Sequence, residues 1–214
     1  MSKKKNNRLE RTKKRLKLVF DWVMLFRSKR LYYPFSRFVG LMPFMAKETI
    51  NALAFIPCPR KFCKKVVPQN LQDVTFGVLT RLQTSAKEDD YFATCCELVS
   101  VLTDVPAKKV AKCRAVDVIG VVNMVQSEMT RIGKLFNSLN VEHTSDEIRA
   151  GIERLEFGVF GLIDWYAKRM GIVDHEEVFN TPWQRVFQCM RIDHENNEFE
   201  KRYRNIITRG IKKK

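Results

Sequence analysis

Apolar residues recur along most of this chain at three- and four-residue intervals, the spacing that draws one greasy stripe along a helix. No run alternates long enough to make a strand of useful length. Val118, Val121, Val122, Val125, Met129, Ile132, Leu135, Phe136 and Leu139 predict a helix over 117–139, about six turns long. Val74, Val78, Leu79 and Leu82 predict a shorter one over 73–83. Ser85-Ala86-Lys87-Glu88 has capping-box spacing ahead of a third helix, 91–102, and Pro106 opens another short one. A second capping box, Thr144-Ser145-Asp146-Glu147, precedes Ile148, Ile152, Leu155, Val159, Leu162 and Trp165, a helix that ends near Met170 with Gly171 as its cap. Gly151, Gly158 and Gly161 lie within it and each costs about 1 kcal/mol in a helix interior, so a break or a close helix crossing is expected near Gly158. Thr181-Pro182-Trp183-Gln184 sets a capping Thr before a Pro at the first helical position, and the last helix runs from there to about Thr208.

The front of the chain reads differently. Residues 3–17 are a Lys/Arg run with few apolar positions, expected to be disordered until a partner neutralises it. Leu16, Val19, Phe20, Val23 and Phe26 then follow at helical spacing, which makes 9–29 a basic helix with a greasy second half. Pro34, Pro43, Pro57 and Pro59 break up an aromatic stretch of Tyr32, Tyr33, Phe35, Phe38 and Phe44. Such groups need covering, either by the rest of the chain or by another chain. The fold class is therefore all-α: an irregular helical bundle over 66–214 with a basic C-terminal tail, preceded by a basic, partly extended N-terminal arm over 1–65. A chain begun at Val66 is expected to stay folded.

Charge sharpens that division. The formal net charge of +15 has an uneven origin: residues 1–65 carry +15, residues 66–200 carry −7 and residues 201–214 carry +7. Basic ends on an acidic body point to an anionic partner, with nucleic acid, anionic lipid and an acidic protein surface all open. The candidate contacts are Lys3, Lys4, Lys5, Arg8, Arg11, Lys13, Lys14, Arg15 and Lys17, with Lys29, Arg30, Arg60, Lys61, Lys64 and Lys65 behind them. Lys29-Arg30-Leu31-Tyr32-Tyr33 and Arg60-Lys61-Phe62-Cys63-Lys64-Lys65 set aromatic rings among the charges, a pattern suited to phosphates and stacked bases. The same residues would suit a membrane surface, with the basic helix lying in the interface. The longest uncharged stretches of the front half, 38–46 and 49–59, fall well short of the roughly 20 residues that span a bilayer, so no transmembrane segment is expected. Six cysteines lie in apolar stretches with no secretory segment ahead of them, and they are expected to be reduced core residues in a cytosolic setting.

Residues for catalysis or metal binding do not assemble in the sequence. His175-Glu176-Glu177 lacks the second His of a helical zinc site. Asp193-His194-Glu195 occupy consecutive helical positions and diverge, which reads as a solvated face. No Cys/His pair follows Cys58 and Cys63 to complete a zinc site. Adjacent Cys95 and Cys96 point to different faces, so at least one packs in the core, and Gly158-Val159-Phe160-Gly161 lacks the Lys-Ser/Thr of a phosphate loop. The expectation is a protein that is not an enzyme and needs no cofactor or metal.

Three stretches carry a family resemblance. Val67-Pro68-Gln69-Asn70-Leu71-Gln72-Asp73-Val74-Thr75-Phe76 resembles the opening of small helical tail-assembly-chaperone-like proteins of tailed bacteriophages. Leu102-Thr103-Asp104-Val105-Pro106, followed by Val110 and Val116-Asp117-Val118-Ile119, resembles their Leu-Thr-Gly-Leu-Pro middle, with Asp104 where that group has Gly. Glu156-Phe157-Gly158-Val159-Phe160 resembles their Phe/Tyr-Gly turn. The resemblance covers about 66–207, and the basic arm has no counterpart in the simple chaperones. It implies a virion-associated relative, as in crAss-like gut phages, found in the virion and, during assembly, in the host cytoplasm. Its expected partners are tail, portal or other virion proteins and possibly DNA, and oligomeric assembly is expected; a nucleic-acid-binding helical protein is the alternative.

Overall fold

The computed structural model describes residues 29–86, 90–140, 145–155 and 157–211, with 153 and 209–211 as backbone alone. Its helices in chain order are α1 (Phe35–Leu41), α2 (Lys47–Leu53), α3 (Phe76–Ser85), α4 (Tyr91–Thr103), α5 (Ala107–Val110), α6 (Ala115–Asn137), α7 (Ser145–Arg149), α8 (Gly158–Met170), α9 (His175–Phe179) and α10 (Trp183–Ile211). Between α2 and α3 sits a hairpin of two short strands, β1 (Lys61–Phe62) and β2 (Lys65–Val66). The all-α class holds, and among the described residues no helix is long and apolar enough to cross a membrane.

Two compact units divide the chain: Met1–Asn70 with Leu82–Glu128, and Leu71–Arg81 with Met129–Lys214. The expected boundary at Val66 falls inside the first of them. Leu31, Phe35, Phe38, Ala52, Leu53, Ile56 and Phe62 are all buried, and Phe35 stacks on Phe92 of α4 with ring centroids 5.6 Å apart. The proline-broken stretch supplies apolar groups to the core of this unit, and burying each is worth about 2 kcal/mol, so the chain folds back rather than extending as an arm. Polar groups complete the docking. The Asn123 side-chain amide on α6 donates to the carbonyls of Leu53 (2.8 Å) and Ile56 (3.1 Å), which closes the open end of α2. Gly120, one turn earlier, lets the Pro57 carbonyl lie against the helix where any Cβ would overlap it. Residues 1–28, including all but the last residue of the expected helix over 9–29, lie outside the described residues.

In the second unit the core gathers around Trp183. The side chain is buried, its indole N–H donates to the Leu71 carbonyl at 2.6 Å, and Phe136 and Phe187 pack on its ring. Phe76 N–H donates to the Thr181 carbonyl (2.7 Å), so the start of α3 is tied to the turn before α10.

Several helix ends depart from expectation. Asp90, not Ser85, caps α4, accepting from the N–H groups of Phe92 (2.8 Å) and Ala93 (3.3 Å); Ser85 is instead the buried last residue of α3. The helix expected over 148–170 is three pieces. Gly151 takes φ +86° after α7, a 3-10 turn spans Ile152–Arg154, and Gly158 takes φ +53° at the start of α8. The break near Gly158 was legible in the glycines, whereas the one at Gly151 was read through. Gly171 caps α8 with φ +67°. Thr181 precedes α10 as expected, but its hydroxyl donates backward to the Glu177 carbonyl at 3.3 Å.

Candidate anion-binding face

Three segments of the first unit carry basic side chains to one neighbourhood. The first is the hairpin. Lys61 pairs with Val66 and Phe62 with Lys65, leaving Cys63 and Lys64 as a two-residue turn in which both take positive φ, 47° and 69°. That conformation matches the twist of the flanking strands and is usually filled by Asn-Gly. Buried Phe62 anchors the hairpin, while Arg60, Lys61, Lys64 and Lys65 are exposed. Lys65 reaches Asp104 at the end of α4, donating to its carbonyl oxygen (2.7 Å) and to its carboxylate (3.1 Å). Among the described residues, no carboxylate pairs with Arg60, Lys61 or Lys64.

The second segment is α5 and the turn after it. Val110 is buried and fixes the roll of this short helix, so that Lys108, Lys109, Lys112 and Arg114 remain at the surface. Cys63 meets this turn directly, with its Sγ 3.2 Å from the Sγ of Cys113, whose thiol lies 3.3 Å from the Lys109 carbonyl. Burial, and then the contact with Cys63, push the Cys113 thiol up to about 12. Both effects favour the neutral thiol, which packs against the turn. The thiol contact sets Lys61, Lys64 and Lys65 beside the lysines of α5.

The third segment is the chain entering α1. Phe35 N–H donates to the Cys113 carbonyl (2.8 Å), Ser36 N–H to that of Ala111 (3.0 Å) and Ala115 N–H to that of Tyr33 (2.9 Å). Residues 33–36 thus lie along 111–115, directly after the 3-10 turn Lys29–Tyr32 that carries Lys29 and Arg30. Arg37 covers the Tyr33 ring at 4.5 Å, and Arg114 lies 6.0 Å from the half-exposed ring of Tyr32 while its Nε and Nη2 donate to the Asp117 carboxylate.

Of the basic residues singled out in the sequence, Arg60, Lys61, Lys64, Lys65, Lys29 and Arg30 belong to this face, whereas Lys3, Lys4, Lys5, Arg8, Arg11, Lys13, Lys14, Arg15 and Lys17 lie outside the described residues. No family model, characterised protein or solved structure matches this chain. The face therefore has to be read from its own geometry. Lys108, Lys109, Lys112 and Arg114 were missed because they fall in a stretch whose summed charge is acidic. The signal was present: four Lys/Arg and no acid within Lys108-Lys109-Val110-Ala111-Lys112-Cys113-Arg114.

The remaining sequence candidates do not converge. Among the described residues, no three His, Cys, Asp or Glu side chains gather as a metal site would require. The His175 Nε2 atom lies 3.9 Å from an Asp164 carboxylate oxygen, and the ring packs edge-on to Phe160. Asp193-His194-Glu195 is less solvated than expected, because Asp193 pairs with Arg169 and the His194 Nδ1 atom is buried with no described hydrogen-bond partner. Cys95 and Cys96 are both buried, and burial pushes each thiol up to about 11.

Proposed function

We propose that this chain is a non-catalytic component of a tailed-bacteriophage particle or its assembly, and that it holds nucleic acid on the basic face of its first unit. The convergence of three basic segments carries the binding half of this reading. Charges within about 8 Å of one another, roughly one Debye length at physiological salt, act together on a phosphate chain. Tyr32, half exposed beside Arg114, adds a flat ring on which a base could stack. An acidic protein surface would use the charges equally well but would leave that ring without a role.

The phage half rests on the three motifs, and their backbone conformations support it. Asp104, which stands where the resembled group has Gly, takes φ 52°, a left-handed conformation that Gly adopts freely. Gly158 of the Phe-Gly turn takes φ +53°. Both positions thus hold a left-handed residue of the kind glycine adopts freely, and the Gly-to-Asp departure leaves the backbone path available.

Titrating labelled duplex and single-stranded DNA with the full chain across a salt series tests the binding half. Log affinity is expected to fall with log salt by about 0.9 per phosphate contacted on duplex, and replacing Lys61, Lys64 and Lys109 with Gln is expected to flatten the slope by about three. A salt-independent affinity, or tighter binding to an acidic polypeptide than to DNA, would remove the nucleic-acid assignment. Mass spectrometry of purified particles and of assembly intermediates tests the other half, and absence from both would remove the phage assignment.

A further inference from the structure

Helix α10 is apolar on two opposite sides. Its first turns bury Trp183, Val186 and Phe187 in the second unit. Farther along, Ile192 is 49 % exposed, Phe199 60 %, Tyr203 56 % and Ile206 70 %. With Asn196, these residues are spaced four, three, four and three apart, which is the heptad seam of a coiled coil. At 3.6 residues per turn, Phe199 sits about 160° around the helix from Trp183, so the packing that buries the first stripe cannot reach the second. Phe199 and Tyr203 stack on each other at 6.1 Å, and this stack stands in solvent.

Charge along the same helix names the occupant. Asp193, Glu195, Glu198 and Glu200 follow one another with no Lys or Arg between them; Lys201, Arg202, Arg204 and Arg209 then follow with no acid. We propose that this stripe is a self-association surface that receives the same stripe of a second copy of the chain, running antiparallel. In that orientation each acidic block faces the other copy's basic block, and Glu195 flanks the seam opposite Arg202 of the second copy. A parallel pair would set like blocks together and bring Glu195 against Glu200 of its neighbour. Asn196, a polar residue within the seam, restricts the register, as a single buried Asn does in coiled coils. The pairs within one helix, Lys201 with Glu198 (3.3 Å) and Arg204 with Glu200 (3.0 Å), are surface contacts of little strength and do not compete seriously.

The seam from 192 to 206 is about 22 Å long and its area falls below the roughly 1,200 Å² at which specific interfaces begin to be stable. The dimer is accordingly weak and driven by concentration. It is independent of the basic face and stands or falls without it.

Sedimentation velocity on the full chain, freed of nucleic acid, tests this over a concentration series from low to high micromolar. A reversible monomer–dimer equilibrium is expected. Phe199→Glu or Ile206→Glu, each in an exposed position, is expected to abolish the dimer while leaving the thermal transition in place. Glu195→Lys and Arg202→Glu are each expected to weaken it roughly tenfold, through two facing pairs, and an equimolar mixture of the two variants is expected to restore it. A monomer at every concentration overturns the proposal, as does a dimer that survives both glutamates. Strengthening by Glu195→Lys would mean that the helices run parallel, which overturns the orientation argued here.

Discussion

The two units handle left-handed backbone in opposite ways. In the second unit every described position with positive φ is glycine: Gly151, Gly158 and Gly171. In the first unit the described positions are Cys63, Lys64 and Asp104, which keep their side chains at a conformational cost of about 1 kcal/mol or more each. All three belong to the basic face: Lys64 is its tip, Cys63 is the thiol that meets the α5 turn, and Asp104 is the anchor for Lys65. Strain kept where glycine would be easier, and kept together, marks a place where side chains matter more than stability. The second unit, whose turns are relaxed, leaves apolar surface exposed along α10 instead.

Removing the front of the first unit is the most severe way to break this comparison. A chain begun at Val66 loses Leu31, Phe35, Phe38, Ala52, Leu53, Ile56 and Phe62, buried residues whose combined contribution is comparable to the roughly 5–15 kcal/mol by which a domain is stable. Hydrogen exchange on the truncated chain is expected to show no protection in α4 or in residues 115–128. Protection there equal to that of the full chain would return 29–65 to the status of an appendage.

Two glycines on α6 give the next effect, with opposite signs. A Cβ on Gly120, in the first unit, overlaps the Pro57 carbonyl, which is backbone and cannot swing away, so Gly120→Ala is expected to cost about 3 kcal/mol. Gly133, in the second unit, has nothing within 4 Å of its Cβ position, and Gly133→Ala is expected to stabilise by up to about 1 kcal/mol. Urea denaturation of both variants reads the difference. Equal effects would mean that the 54–57 turn does not lie against α6.

High pH also separates the units. Burial first of all raises the thiols of Cys95 and Cys96 to about 11, and burial with the Cys63 contact raises Cys113 to about 12; Tyr91 is pushed up as well. The folded first unit therefore holds these protons more tightly than the unfolded chain, whose thiols release them near the ordinary value of 9.0. Stability from this source is complete below about pH 9 and falls as pH climbs toward 11. Hydrogen exchange at pH 8 and pH 10.5, corrected for intrinsic rates, is expected to show α4, where burial raises Tyr91, Cys95 and Cys96, losing more protection than α8, where it raises Tyr166.

How far the sequence revealed this arrangement depended on what each signal could carry. Helical spacing located α4, α6 and α10 to within a few residues, because a stripe such as Val118, Val121, Val122 and Val125 states both the period and the buried side. The destination of Phe35 was not legible, since a proline-broken run has no period and its stacking partner, Phe92 on α4, lies 57 residues away. The basic face was half legible for a related reason. Lys61, Lys64 and Lys65 stand out locally, but their neighbours Lys108, Lys109 and Lys112 come close only through the hairpin and the Cys63–Cys113 contact, a pairing across 50 residues.

The smallest effects should come from exchanging the turn chemistries of the two units. Lys64→Gly removes the left-handed penalty at the hairpin tip, which outweighs the added freedom of the unfolded chain, and is expected to stabilise by about 0.5 kcal/mol. It also removes one exposed charge, so the salt slope of DNA binding is expected to flatten by about one. Gly171→Ala in the second unit should do the reverse. Nothing lies within 4 Å of its Cβ position, so the loss of about 1 kcal/mol is conformational alone, with DNA binding unchanged. Thermal melts paired with DNA titrations read both quantities on the same samples. A Lys64→Gly variant that is more stable and binds as well as the parent would mean that the strain at the tip serves no contact, and the contrast between the units would then reflect only which residues happen to occupy their turns.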